Sequence, residues 1–305
     1  MSLWLISISR QQRQIELKTP EIKITECPRD AMQGMHQFIP TDQKTEYINK
    51  LLEVGFDTID FGSFVSVRAI PQMRDTKEVL GKLKLAESRS KLLAIVANYR
   101  GAAEAAEYPE ISYLGYPFSI SETFQQRNAN TSINDAFETV KQMADLCGSN
   151  SKELLIYLSM GFGNPYGDKW NEEIVLEWTQ RLTAIGVKTI AIADTIGMAT
   201  AQQISELYPV LRRSFPGTEF GIHLHSTPDK YYEKIDAAFR AGCRRFDSAI
   251  KGFGGCPMAE DKLTGNIATE DLIGYFQSQG IVTGLDMGKF REAMLYAETI
   301  FAGIH

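Results

Sequence analysis

Short runs of β-branched and aromatic residues alternate with longer amphipathic segments along most of this 305-residue chain. Eight such runs occur, at residues 22–27, 57–62, 92–97, 111–116, 154–159, 189–193, 220–224 and 245–249. Helical patterns lie between most of them, most clearly at residues 41–52, 132–146, 171–184, 201–211 and 230–241. Strand-helix repeats of this kind form parallel sheets, because each helix returns the chain to the edge where the last strand began. The alternation predicts an α/β protein.

The number of repeats favours a (β/α)8 TIM barrel over a doubly wound sheet. No Gly-x-Gly-x-x-Gly fingerprint follows the first run, and no Pro/Ser-rich linker divides the chain. We therefore expect one barrel domain over residues 21–305, with an additional C-terminal helix at about residues 285–305. Residues 1–20 are predicted to be an N-terminal extension outside the fold, and their Met-Ser-Leu start is typical of a cloning remnant.

Composition excludes several classes of function. A formal net charge of -6 argues against nucleic acid as a partner, although a local basic cluster could still bind a phosphorylated small molecule. No run reaches membrane-spanning length, and the N-terminus lacks the features of a secretion signal. A protein without membrane contact, located in the cytoplasm, is expected.

The four cysteines predict neither disulfides nor a structural zinc site, because they lie far apart without Cys-x-x-Cys spacing. Cys27, Cys147 and Cys243 adjoin apolar segments and are expected to be small buried side chains. Cys256 differs, since it follows three glycines and precedes a proline. It is a candidate proton donor on a mobile loop.

Two of the four histidines, His223 and His225, end the seventh run. Residues two apart on a strand face the same side, so both imidazoles would point at one spot. Asp30 follows the first run, and the strand ends of a barrel converge on one rim. These three side chains would form a mixed nitrogen and oxygen set for Mg²⁺ or Mn²⁺. A solvent-facing histidine pair, with Asp30 as a helix cap or ion-pair partner, is the alternative.

Arg29, beside Asp30, is a fixed cation with planar donors. Such a group can hold an oxyanion, for example an enolate or a carbonyl oxygen that becomes one. The alternative is an ordinary surface salt bridge.

Seven motifs, in order along the chain, together resemble the 3-hydroxy-3-methylglutaryl-CoA lyase family of metal-dependent lyase and aldolase barrels. Arg-Asp and His-x-His mark only the wider superfamily, whereas the second, third and sixth motifs are typical of the lyases. The motifs are Pro-Arg-Asp at 28–30, Gly-Ser-Phe-Val-Ser at 62–66, Ile-Pro-Gln-Met at 70–73, Asp-Thr-Ile-Gly at 194–197, His-Leu-His at 223–225, Gly-Phe-Gly-Gly-Cys-Pro at 252–257 and Gly-Asn-Ile-Ala-Thr-Glu-Asp-Leu at 265–272.

The resemblance implies roles for these residues. It implies that the cation is held by Asp30, His223, His225 and Asn266. It also implies that Arg29 stabilises an enolate, that His223 takes part in proton transfer and that Cys256 acts from its loop. Asp60 falls where the family carries a Glu, and Asp194 matches a family Asp. The implied reaction is a reverse Claisen cleavage of 3-hydroxy-3-methylglutaryl-CoA to acetoacetate and acetyl-CoA.

Three positions depart from the family pattern and bear on the substrate. Ser226 stands where an Asp usually follows the second histidine, Asp60 is one methylene shorter than Glu, and Ala31 replaces a Gly. Two alternatives therefore stay open: a related aldolase or Claisen-type synthase acting on a 2-oxo acid, and a non-catalytic barrel that binds a CoA ester. The resemblance further implies a homodimer, and a cellular role in leucine degradation or ketone-body formation.

Overall fold

The computed structural model describes residues 21–255 and 264–302, which form a barrel of parallel strands surrounded by helices. The strands are β1 Lys23–Glu26, β2 Thr58–Ser63, β3 Lys91–Ile95, β4 Ile111–Ser119, β5 Glu153–Ser159, β6 Thr189–Asp194, β7 Glu219–Ser226, β8 Arg245–Ser248 and the short β9 Gly265–Asn266. The helices are α1 Pro28–Gln33, α2 Thr41–Val54, α3 Thr76–Leu80, α4 Tyr99–Ala106, α5 Glu122–Ala129, α6 Ile133–Ser149, α7 Glu172–Ala184, α8 Ala201–Ser214, α9 Tyr231–Arg240, α10 Thr269–Ser278 and α11 Met287–Ile300. Short 3₁₀ turns occupy Pro71–Met73 and Ile250–Gly252.

Strand pairing closes the sheet on itself. Each strand from β1 to β8 pairs in parallel with the next, and β1 pairs with β8 to complete the ring. This confirms the (β/α)8 TIM barrel. In such a barrel every strand ends at the same rim, so the residues that follow the strands are brought together there.

All eight predicted strands are present, with bounds that shift by a few residues. The largest difference is in β4, which continues through Pro117 to Ser119 because its register with β5 is unbroken from Tyr113 onwards. The C-terminal helix is confirmed as α11, which packs against α2 with Phe290 edge-on to Phe56. The N-terminal extension, residues 1–20, lies outside the described residues. None of the described helices is long and apolar enough to cross a bilayer.

The apolar core has two parts. The larger lies between the barrel wall and the helices. The smaller fills the barrel interior and consists of Leu93, Ile95, Tyr113, Leu155, Tyr157 and Ala191. Residues that share the strand face of this inner cluster point into the barrel, and their neighbours along each strand point towards the helices.

Glu26 links β1 to the 3₁₀ turn after β8 and to α10. Its two carboxyl oxygens accept hydrogen bonds from the Ile250 backbone N–H at 2.8 Å and the Thr269 hydroxyl at 2.6 Å. Glu26 is fully buried, and burial raises its pKa to about 8. The carboxyl group is therefore neutral in the folded protein over a pH range in which it is charged in the unfolded chain.

We predict that Glu26 makes the protein less stable as pH rises from about 5 to about 8. Between these values the unfolded chain has lost the proton that the folded state keeps, so the free energy of unfolding falls with pH, by up to about 1.4 kcal/mol per pH unit. Urea unfolding at about pH 5.5 and about pH 7.5 should show a smaller decline for Glu26→Gln than for the wild type. The exposed Glu87→Gln is the matched control. An equal decline in all three proteins would contradict the prediction.

Candidate metal centre and active site

Strand β7 places two imidazoles at the rim with their Nε2 atoms facing each other at 3.1 Å. The Nδ1 atoms are each held by an acceptor. His223 Nδ1 lies 3.2 Å from Asp247 Oδ2, and His225 Nδ1 lies 2.9 Å from the Thr195 backbone oxygen. With a proton on each Nδ1, both Nε2 lone pairs converge on one point. The prediction that the two histidines share one face is confirmed.

Asp30 completes a cluster with the imidazoles. Helix α1 begins immediately after β1, with Pro28 in its first turn, and this turn carries Asp30 back over the barrel mouth. One ligand atom each from Asp30, His223 and His225 lie within 4.8 Å of one another. Burial disfavours the charge of Asp30, but Arg29 and the two imidazoles outweigh it and lower the Asp30 pKa to about 2. Asp30 is thus a carboxylate at neutral pH.

Asn266 reaches the same cluster through β9, which runs antiparallel to β7 and pairs Asn266 with His225. Its amide nitrogen donates to Asp30 Oδ2 at 2.7 Å and to the Phe253 backbone oxygen at 2.8 Å. A Cβ at Gly254 would lie 2.8 Å from both this nitrogen and the Asp30 backbone oxygen. Glycine, at a φ of +88° there, lets the loop after β8 lie directly on the site.

These donors fit a hard divalent cation. The set combines a carboxylate oxygen with two imidazole nitrogens and contains no thiolate. Burial, assisted by the neighbouring His223, lowers the pKa of His225 to about 4, which keeps this imidazole neutral and able to coordinate. Two facing lone pairs repel each other unless a proton or a cation lies between them.

Arg29 is held rigidly between two carboxylates. Its Nε and Nη2 donate to Asp60 Oδ2 at 3.0 and 2.5 Å, and its Nη1 donates to Asp30 Oδ1 at 3.0 Å. Burial works against the arginine charge, but Asp60 and Asp30 more than offset it and raise the Arg29 pKa. Burial raises the pKa of Asp60 to about 6. Nη1 and Nη2 each carry a second hydrogen that these two carboxylates do not use.

Asp194 is not brought into this cluster. Ala191, three residues earlier on β6, belongs to the inner core, so strand alternation points Asp194 outwards. There its Oδ2 accepts a hydrogen bond from Lys234 Nζ of α9 at 2.8 Å. The same ammonium donates to the backbone oxygens of Gly197 at 3.0 Å and His225 at 2.8 Å. Lys234, which sequence reasoning missed, therefore ties the ends of β6 and β7 together.

The cysteines fall into two groups. Cys256 lies outside the described residues, whereas Cys27, Cys147 and Cys243 are buried as expected.

Asp247, whose carboxylate lies beside His223 Nδ1, was not predicted from the sequence. Its signal in the sequence was its position two residues into the eighth strand, but the strand has three polar residues in four, and this composition does not reveal which way Asp247 points.

The sequence model of the HMGL-like family matches residues 22–295. The chain belongs to this family. It is 34% identical over 275 residues to cytoplasmic 3-hydroxy-3-methylglutaryl-CoA lyase from Rattus norvegicus, which covers 89% of this chain and 79% of the relative. It is 33% identical over 277 residues to the mitochondrial hydroxymethylglutaryl-CoA lyase of Mus musculus, covering 90% and 83%. Because these family members occupy different compartments, cytoplasmic location stays a prediction for this chain.

Similarity extends to a solved structure, that of an HMG-CoA lyase from Acinetobacter baumannii in complex with coenzyme A and 3-methylmalate. It superposes with a TM-score of 0.85 at 29% identity, covering 93% of this chain and 92% of the other. The family resemblance and the barrel fold predicted from the sequence are therefore both confirmed.

We predict that Lys234→Met lowers the free energy of unfolding by about 3 to 5 kcal/mol, because it leaves Asp194 buried without a counter-charge. Lys234→Met combined with Asp194→Asn should cost less than Lys234→Met alone, since no unpaired charge remains. Chemical denaturation of the three proteins measures this. Lys230→Met, on the exposed residue before α9, is the control. A double variant less stable than Lys234→Met would contradict the ion-pair account.

Proposed function

We propose that this protein is a divalent-metal-dependent carbon-carbon lyase that cleaves 3-hydroxy-3-methylglutaryl-CoA to acetoacetate and acetyl-CoA. Membership of the HMGL-like family and similarity to curated lyases over most of the chain support the lyase class. The CoA complex of a relative supports a CoA-thioester substrate. A homodimer and a role in leucine degradation or ketone-body formation remain predictions.

The convergence of His223 Nε2, His225 Nε2 and an Asp30 oxygen is the observation that carries the metal dependence. We propose these three groups as ligands of Mg²⁺ or Mn²⁺, with Asn266 as a fourth. A bound cation would lower the pKa of the substrate's tertiary hydroxyl, which otherwise holds its proton at neutral pH. The protein's part is to hold these donors in place before the substrate arrives.

Arg29 is proposed to stabilise the charge that develops when the bond between C2 and C3 breaks. In that step the electron pair of the carbon-carbon bond moves towards the thioester, and its carbonyl oxygen becomes an enolate oxygen. The unused hydrogens on Arg29 Nη1 and Nη2 are the donors for this oxygen. Asp60 fixes the guanidinium in place, so no reorganisation is needed as the charge forms.

The chemistry also requires two proton movements. The substrate hydroxyl must lose a proton, and the enolate carbon must gain one to give acetyl-CoA. We propose the Cys256 thiol for the second. His223 can take the first only through Nε2, and only while that atom is free of the cation, because Nδ1 carries the hydrogen donated to Asp247. Asp194, given its contact with Lys234, is proposed to act on the site through the β6 and β7 ends rather than on the substrate.

The first test is acetoacetate release from 3-hydroxy-3-methylglutaryl-CoA by purified protein with Mg²⁺ or Mn²⁺, before and after EDTA treatment. We expect release with metal, loss after chelation and recovery when metal is restored. Release that persists after chelation would contradict metal dependence. If metal binds without release, the departures at Ala31 and Ser226 have changed the substrate, and 2-oxo acids become the substrates to test.

We predict that Arg29→Gln lowers kcat by at least about 10²-fold while Mn²⁺ affinity changes little, because the arginine acts on charge that is absent from the resting site. Steady-state kinetics and Mn²⁺ titration by electron paramagnetic resonance separate the two effects. Arg213→Gln, at an exposed position of α8, is the control. An unchanged kcat in Arg29→Gln would eliminate the enolate role.

A further inference from the structure

Four side chains at the interior of the barrel carry buried polar atoms without hydrogen-bond partners in the described part of the chain. The atoms are Thr25 Oγ1, Tyr157 OH, Asp247 Oδ1 and both Nε and Nη2 of Arg245. Buried polar atoms are normally paired, because an unpaired one costs free energy. Their grouping therefore makes this part of the barrel interior polar.

Two of these side chains, Asp247 and Tyr157, contact the His223 ring. Strand register places Asp247 beside His223 on one side and beside Thr25 on the other. Tyr157, from β5 across the barrel, meets the His223 ring edge-on with centroids 5.6 Å apart. His223 Nδ1 therefore faces Asp247, whereas its Nε2 faces His225.

Arg245 lies closer to the other end of the barrel interior. Its Nη1 lies 3.5 Å from Asp57 Oδ2 at the other end of the barrel, and its side-chain carbons lie 3.1 to 3.4 Å from where a Cβ at Gly221 would be. Glycine two residues before His223 therefore leaves room for the arginine chain. The guanidinium and the Asp247 carboxylate thus project into the same barrel interior.

We propose that Asp247 is a positioning residue for the metal centre, acting through His223. Its carboxylate accepts the His223 Nδ1 hydrogen and so reserves Nε2, with its lone pair, for the cation. Asp247 is 3% exposed and lies within hydrogen-bonding reach of the imidazole. This inference rests on the proposed metal-dependent function and assigns a role to a residue outside the ligand set.

The charge of Asp247 is what matters in this arrangement. A carboxylate only accepts hydrogen bonds, so it permits a single neutral tautomer of His223. An asparagine of the same shape can present either its oxygen or its amide group, and then both tautomers are possible. Carboxylates behind metal-binding histidines also raise the basicity of the ligand, and their loss typically weakens metal binding by about 10- to 100-fold.

The first measurement is the tautomer of His223 in the metal-free wild-type protein, by ¹⁵N-¹H correlation spectroscopy at alkaline pH. The chain has four histidines, which makes assignment by single substitution practical. We expect the proton on Nδ1. A His223 ring without a hydrogen on Nδ1 would overturn the proposal, whatever the protein's activity, so this readout does not depend on the lyase reaction.

The second measurement is Mn²⁺ affinity of Asp247→Asn by electron paramagnetic resonance, with thermal unfolding to confirm a folded protein. We expect about 10- to 100-fold weaker binding and a mixture of His223 tautomers. Asp145→Asn, at an exposed position of α6, should match the wild type. Affinity in Asp247→Asn within about twofold of the wild type would overturn the proposal. A wild type that binds no Mn²⁺ would instead refute the proposed function, and the tautomer would then decide the role of Asp247.

Discussion

Pairing of β1 with β8 closes the sheet into a ring, and the position of every residue in the candidate site depends on this closure. Before it forms, Asp30 and Asp247 are at opposite ends of the chain. Once it forms, the register fixes β1, β8 and β7 side by side, so that Asp247 and His223 lie on adjacent strands and Asp30 follows the end of β1 beside them. A closed barrel has no free edge along which the strands could slide, and this rigidity suits a site whose donors must be placed in advance.

Most charged groups around the site are buried with an opposite charge. Arg29 lies between Asp30 and Asp60, and Lys234 lies against Asp194. Buried ion pairs add little net stability, because desolvation of both ions offsets their attraction. Their benefit is fixed geometry. The overall charge of -6 does not reveal this local pairing of cations with carboxylates.

Sequence reasoning predicted the barrel and the His223, His225 and Asp30 cluster because both follow from short-range periodicity and from where strands end. It did not predict Lys234 or Asp247. Each stands among other charged residues with nothing local to distinguish it, and its meaning depends on contacts with residues far along the chain. The strand bounds were less certain than the strands themselves, because cross-strand register decides where pairing ends.

The antiparallel pairing of β9 with β7 has a consequence for how the protein acquires its site. Asn266 contacts Asp30 across 236 residues of sequence, among the most distant contacts in the chain. Contacts of such separation form late, because closing a long loop costs entropy before the contact rewards it. The donors for a cation would therefore assemble only at the end of folding. Binding of the cation would then require a complete barrel, and a partly folded chain would have no high-affinity site for the ion.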